Sequence, residues 1–449
     1  MVMAPRSSPA LSGVGATSPF AKRAAISPAL QSDRLAALLD KDEDEGAERS
    51  SSALMTAANL VNNYVGMVLL SMHYAFSQGG WISFATLAAL TAFGAWTGDL
   101  IIESYKTIAK EGVSVPSYAQ IGERCMGRFG KWLVIWSSVI ETFFAILCML
   151  IIIWSNAALL LPGVPLEYVI ACCVLLSLPS NWLRDFTVLA FLSAFGIACV
   201  LLIVAVVMFD VVSAPPEALS QPTEFASMVG IPMSSSIMLA GLTGHVSLPP
   251  IYAEMKQPSQ FRPTLYASFL LMYGMYAVVG GCGYLLYGEQ SSVLITSDMT
   301  ADPLGDPGLG ALLTQLVLIG ITFKLFCSVP ICVVVLVDVY QNLHLEHHGD
   351  ELSESSSDRL RLLIWAVSTL TAMGVFSSLK YVTALVGINS VLISVLLPIL
   401  FYVKLHLHSM SHTRRSFFML LCVISVAGTV WISWMDVLEF LDTLVEATD

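Results

Sequence analysis

The chain has 449 residues, 56% of them hydrophobic and 12% charged, with a formal net charge of −12 and a mean hydropathy of +0.75. A soluble protein of this size keeps about a quarter of its residues charged, so half that fraction excludes an ordinary water-facing surface and points to an all-α polytopic membrane protein. The acids are spread over tails and loops, which leaves no footprint for nucleic acid. The polar segments hold no metal-ligand cluster, nucleophile elbow or phosphate loop, so an enzyme, a resident metal and a cofactor are not expected.

Residues 1–52 are rich in Ser, Ala and Pro and carry the acidic cluster Asp40 to Glu45. Such a segment cannot bury a core and is expected to be a disordered cytosolic tail. It has no apolar signal-peptide centre, which makes the first span the targeting signal. Residues 53–436 are expected to form one transmembrane domain, and 437–449 a short luminal or external tail. A bilayer core of about 30 Å requires roughly 20 apolar residues per helix. The apolar runs give about eleven spans, near 54–78, 80–105, 131–161, 166–181, 184–211, 228–251, 263–287, 308–340, 360–378, 381–405 and 415–436. The fourth is short, and its boundary with the fifth depends on Pro179.

Two spans are interrupted near their middles. The first reads Asn59-Leu-Val-Asn62-Asn63-Tyr-Val-Gly66, continuing through Met67 and Val68; the sixth reads Ala240-Gly241-Leu-Thr243-Gly244-His245, followed by Pro249-Pro250. Matched interruptions five spans apart point to a transporter built from inverted repeats, with its substrate at the midplane. Broken backbone is tolerated at that depth where it lines a cavity. Freed N–H groups can hold a carboxylate and freed carbonyls a cation or ammonium. The competing reading, that the glycines only let helices pack closely, suits either segment alone better than the matched pair. Between spans, 105–131 reads as a long basic loop, and 341–360, with His344, His347 and His348, as a polar connection. All nine cysteines except Cys125 sit in spans, and none pair in an outer loop, so no structural disulfide is expected there.

With the N-terminus in the cytosol and loops assigned alternately, 19 of the 21 basic residues fall on the cytosolic side. The exceptions are Lys380, which falls outside, and Lys324, which lies within a span. The outer loops hold acids such as Asp210, Glu224 and Asp298, and no base besides Lys380. This asymmetry fixes orientation by the positive-inside rule.

Ionisable groups within spans are functional candidates by default. Four stand out: His73, Glu141, His245 and Lys324. Glu141 reads equally well as a proton carrier or as a partner for neighbouring backbone. Lys324 either stands where a transported cation would bind or pairs with Glu141. His245, with an ordinary pKa of roughly 6.5, either follows a pH gradient or only hydrogen-bonds. Asp99 and Glu103 lie near cytosolic ends and read as solvated.

At these residues the chain resembles the amino acid/auxin permease family, and most closely its vacuolar branch, akin to the vesicular inhibitory amino acid transporter. The first span, with Asn59, Asn62, Gly66, Tyr74-Ala75 and Gly79-Gly80-Trp81, is similar to the family's opening motif. So are Ser117 to Glu123 and Gly127 to Gly130, the run Pro179 to Asp185 with Ser193-Ala194, and the stretch from Gly244-His245 through Pro249, Ile251-Tyr252, Met255-Lys256 and Pro258 to Phe261. Gly283-Tyr284 and Tyr287-Gly288-Glu289 match the seventh helix. The resemblance implies eleven helices, a leucine-transporter-like core of two inverted five-helix repeats, and proton-coupled transport of an amino acid across an organellar bilayer, vacuolar, lysosomal or vesicular, with the plasma membrane an alternative. The two broken stretches make Asn62, Gly66, Met67, Val68, Gly241, Thr243, Gly244 and His245 the candidate substrate contacts, and Glu141, His245, Lys324 and His73 are the candidates for proton coupling. The chain departs from the family at Val68, where glycine is usual, at His73, where proline is usual, and at Ser155, where an acid is usual. These departures keep open a second class, a membrane amino acid sensor that retains the transporter fold.

The basic-residue count makes a prediction of its own. Tags on the two termini will fall on opposite sides of the membrane in a protease-protection assay, the N-terminal one cytosolic. Tags on the same side would require an even number of spans.

Overall fold

The computed structural model describes residues 51–112, 116–179, 186–301, 308–350 and 352–446. The tail expected at 1–52 therefore falls almost wholly outside the described residues, as do residues 180–185 of the fourth-to-fifth connection and residues 447–449. The described residues form helices joined by turns and short loops and contain no strand, only an isolated bridge between Ser51 and Met255.

The first span is two helices, α1 (Ala53–Tyr64) and α2 (Met72–Gly79), joined by a 3-10 turn at Met67–Ser71. Then come α3 (Ser83–Ala109), α4 (Tyr118–Leu160), α5 (Leu166–Ser177) and α6 (Phe186–Ser213). The sixth span is again two helices, α7 (Ile231–Gly241) and α8 (Leu248–Glu254). The chain ends with α9 (Phe261–Tyr287), a short α10 (Ile295–Ala301), α11 (Leu309–His348), α12 (Glu354–Gly374), α13 (Leu379–Ser390), a π-helical turn at Val391–Leu396, α14 (Leu397–His406) and α15 (His412–Glu446).

Helices occupy the eleven places where the sequence puts spans. By length and apolar composition alone, however, seven described helices are able to cross a membrane, or eight if the bent pair α1–α2 is one span. α5 has only 12 residues, α7 and α8 are short halves, and α12 carries Arg359, Arg361 and several hydroxyls. Composition does not make those three crossings by itself.

Two connections differ from the sequence reading. The supposed loop 105–131 is helical from Tyr118, because Ser117 and Gln120 form a reciprocal capping box: Gln120 N donates to Ser117 Oγ at 3.2 Å and Ser117 N to Gln120 Oε1 at 2.8 Å. The helix turns at Gly127, whose φ of +64° suits glycine, and Cys125 is thereby buried in a helix and not placed in a loop. Likewise α11 continues through the three histidines to His348. Gly349 then stops it in the left-handed region, and Ser353 caps α12. Polarity marked these segments as leaving the bilayer; it said nothing about helix breaking.

The broken spans lie side by side. α2 packs on α7, α1 touches α8, and α9 packs along both α1 and α2. α13 lies close against α7, where a Cβ on Gly387 would run into the Ser236 carbonyl. α15 exposes most of its apolar length, as a lipid-facing helix does, and is held by polar contacts: Ser236 donates to Asp436 at 2.7 Å, and Lys380 pairs with Glu439 at 2.6 Å.

At the first break Val65 and Gly66 leave helical geometry, and the two halves meet at a bend of 53°. At the second, Leu242 ends α7 and Gly244 takes φ +144° before a 3-10 turn at His245–Ser247. Tyr276 of α9 stands between them. Its hydroxyl donates to Gly241 O at 2.8 Å and also lies 3.1 Å from Tyr64 O, so a single group serves both breaks.

This geometry ranks three substitutions. Tyr276→Phe removes the one donor to Gly241 O, leaving that buried carbonyl without its partner, and is expected to destabilise the detergent-purified protein by about 1–3 kcal/mol. Gly244→Ala is expected to be worse, since its φ is left-handed and a Cβ would press on Asn63 Nδ2 at 2.7 Å. Gly66→Ala, with open space around the new Cβ, should cost less than Gly244→Ala. Thermal-shift midpoints measure the series; equal losses for Gly66→Ala and Gly244→Ala would contradict it.

Candidate substrate site at the two breaks

The first break gathers Asn62, Gly66, Met67, Val68 and Lys324. α1 ends with Val65 O no longer engaged by a normal helical turn. Lys324, on α11 and 7% exposed, sends its ammonium to that carbonyl and donates to it at 2.9 Å. Its stem passes Gly196 of α6, where a Cβ would stand 3.1 Å from Lys324 Cε and 3.0 Å from Asn62 Oδ1. The small residue leaves the lane through which the lysine reaches the break. Gly66 borders open space, while Met67 and Val68 are buried in the 3-10 turn. The ammonium satisfies a carbonyl that would otherwise be stranded away from water. Among the described residues Lys324 forms no ion pair with Glu141.

The second break gathers Gly241, Thr243, Gly244, His245 and Glu141. The His245 ring is fully buried. Its Nε2 lies 3.0 Å from Gly94 O and 3.2 Å from Thr97 Oγ1, and its Nδ1 lies 3.3 Å from the Tyr64 hydroxyl. A carbonyl can only accept, so Nε2 carries the proton; Nδ1 then accepts from Tyr64, and the ring is satisfied as the neutral tautomer. Tyr64 and Phe269 meet the ring edge-on. Asn63 spans both breaks, donating to Gly244 O at 3.5 Å and accepting from Ser247 Oγ at 3.4 Å. Glu141, from α4, turns its carboxyl toward the Thr243 side chain.

His73 is not among these groups. It is buried on α2, where its Nε2 meets Asp298 of α10 at 2.9 Å. The Asp298 carboxylate also accepts from Ser292 N at 2.9 Å. Asp99 is buried as well, not solvated as its place near a helix end suggests; Arg262 pairs with it at 3.0 Å. Sequence reasoning missed Tyr276 and Tyr64, which carry no charge to mark them, and Asp298, assigned to an outer loop. A tyrosine in an otherwise apolar span was the available signal, since a buried phenol needs a partner.

The family profile described as transmembrane amino acid transporter protein matches residues 49–438. The amino acid transporter AVT1H of Arabidopsis thaliana is 26% identical over 86% of this chain and 90% of its own length. The vesicular GABA transporter of Caenorhabditis elegans is 23% identical over 90% of this chain and 84% of its own. Other Arabidopsis relatives are matched over 45% to 50% of their length. Among solved structures, a mutant of the manganese transporter of Eremococcus coleocola aligns at 10% identity and a TM-score of 0.49, covering 86% of this chain and 93% of that one. Its named relatives are transporters and not enzymes, and the match runs through both broken spans: this multi-pass membrane chain belongs to the transmembrane amino acid transporter family.

Proposed function

We propose that the chain is a secondary active transporter that moves an amino acid between the two breaks and is driven by protons, not sodium, in a vacuolar, lysosomal or vesicular membrane. Residues 53–436 are its transport domain, built on two inverted five-helix repeats. The observation that carries the coupling is the Lys324 ammonium on Val65 O. A carbonyl freed by a broken helix is a ligand for a cation, and here a covalently attached cation already takes it. A transported sodium would have to displace it or sit beside an unscreened like charge. A lysine supplies the cation without an external ion and changes charge with a proton. His245 contributes differently: with both nitrogens committed as the neutral ring, it holds α3, α1 and the second break together.

The test uses the purified protein in liposomes. Uptake of a labelled amino acid is expected to follow an imposed pH gradient, to collapse with a protonophore and to ignore replacement of sodium by choline. Lys324→Ala is expected to abolish gradient-driven accumulation. A sodium requirement, or undiminished pH-driven uptake after Lys324→Ala, would rule the coupling out. Counterflow without a gradient separates a carrier from a sensor, which would bind the amino acid and exchange none.

A further inference from the structure

The polar atoms beside the second break are not balanced. Glu141 Oε2 and Thr243 Oγ1 face one another across the α4 boundary, and both are buried without a hydrogen bond of sound geometry. The π-helical turn Val391–Leu396 packs against the His245–Ser247 turn and against α4. The hydroxyls of Ser390, which closes α13 just before that turn, and of Ser394 within it, residues 1% and 3% exposed, are also buried without a partner. The register is fixed one turn before Glu141. Ser137 donates to Asn389 Oδ1 at 2.8 Å, and Asn389 Nδ2 donates back to Ser137 O at 3.0 Å. A π-turn inside a helix often marks a functional site, and a group of orphaned buried atoms calls for a missing partner.

The chemistry of that partner follows from the atoms. One carboxylate and three hydroxyls present acceptors, and among the described residues no basic side chain pairs with Glu141. A buried carboxylate with no countercharge must acquire one or take up a proton. A proton supplies one donor to one acceptor, whereas a primary ammonium supplies a positive charge and three donors. The three hydroxyls can donate as well as accept, so what the group lacks is a positive charge beside the Glu141 carboxylate; an ammonium supplies that charge and three donors at once, whereas a proton only cancels the carboxylate.

We propose that Glu141 and Thr243, backed by Ser390 and Ser394, form the subsite for the amino group of the transported molecule, and that Glu141 is therefore occupied by substrate and does not ferry the coupling proton. The assignment rests on the transport reading above. It makes the second break the amine end of the site and requires substrates to carry a cationic nitrogen.

The experiment measures binding to the detergent-purified full chain with labelled alanine, glutamine, glutamate and γ-aminobutyrate, alongside counterflow in liposomes. Methylamine is expected to compete with the bound amino acid and sodium propionate is not. Glu141→Gln is expected to weaken binding at least about tenfold, the scale of a lost charged hydrogen bond, and Thr243→Val severalfold. Glu141→Gln should still respond to a pH gradient at saturating amino acid. Wild-type affinity in Glu141→Gln with loss of only gradient-driven accumulation would assign Glu141 to the proton and overturn the proposal, while leaving the transport reading intact. Should that variant fail to elute as the wild type does, competition on the wild type decides: propionate competing as well as methylamine overturns the amine subsite. If the wild type neither binds nor exchanges any of the four, the transport reading fails and this assignment falls with it.

Discussion

Backbone carbonyls and amides left unpaired at membrane depth are the constraint on which the rest of this structure depends. Lipid offers them no partner. Two spans are broken, at Val65-Gly66 and at Leu242 to Gly244, and each break frees polar groups that something else must hold. The Tyr276 hydroxyl lies within reach of Tyr64 O and Gly241 O, and the Lys324 ammonium takes Val65 O. Each of these two side chains comes from an unbroken helix. The irregular backbone is thus framed by regular helices, as a polar site in a bilayer must be if it is to keep its shape.

The arrangement makes the breaks interdependent. Tyr276 touches the last carbonyl of α1 and the last of α7, so neither half-helix can swing from α9 without releasing an acceptor. Tyr64 adds a second tie, since its hydroxyl bonds His245 just past the other break. His245 is anchored in turn to Gly94 on α3. A movement of α1 away from the second break must therefore reposition His245 or break the Tyr64 bond. Coupling between the sites follows from contiguous hydrogen bonds and needs no long-range pathway.

Much of this was legible in the residues. Glycines, asparagines and a threonine inside apolar runs located both breaks, because helix-breaking and polar residues in a span need a reason. The isolated charges of Lys324 and Glu141 stood out for the same cause. The membership of the chain in a transporter family agrees with the motifs that suggested it. Partners were not legible. Nothing in the spacing says that Lys324 reaches Val65 O and not Glu141, since that depends on the crossing of α11 over α6 and on the lane beside Gly196. Tyr276 was hidden because an uncharged side chain in an apolar run reads as core. The helical stretch before Gly127 was hidden because hydropathy measures depth in the bilayer and is silent about backbone form. The number of spans stays underdetermined by composition for a related reason: α5 and the halves of the sixth span are shorter than a bilayer crossing.

The His73–Asp298 pair shows how a departure from a family pattern can be absorbed. A proline would leave this position in α2 without a side chain able to hydrogen-bond; the histidine places a ring nitrogen 2.9 Å from a carboxylate instead. That carboxylate sits on α10, which Thr296 also ties to α4 through a 2.8 Å bond to Asn156. Both bonds are buried, so their strength is not diluted by water, and losing either partner would strand a polar group. α2 is the half-helix that follows the first break, and α7 packs on it. The pair therefore clamps the segment on one side of the break to an element outside it, while Lys324 holds the carbonyl at the break itself. His73 was grouped with Glu141, His245 and Lys324 because all four are ionisable groups in spans. Geometry divides them: Lys324 bonds the backbone of the first break, His245 belongs to the second and Glu141 faces its Thr243 side chain, while the fourth fixes the position of the helix that the break sets free.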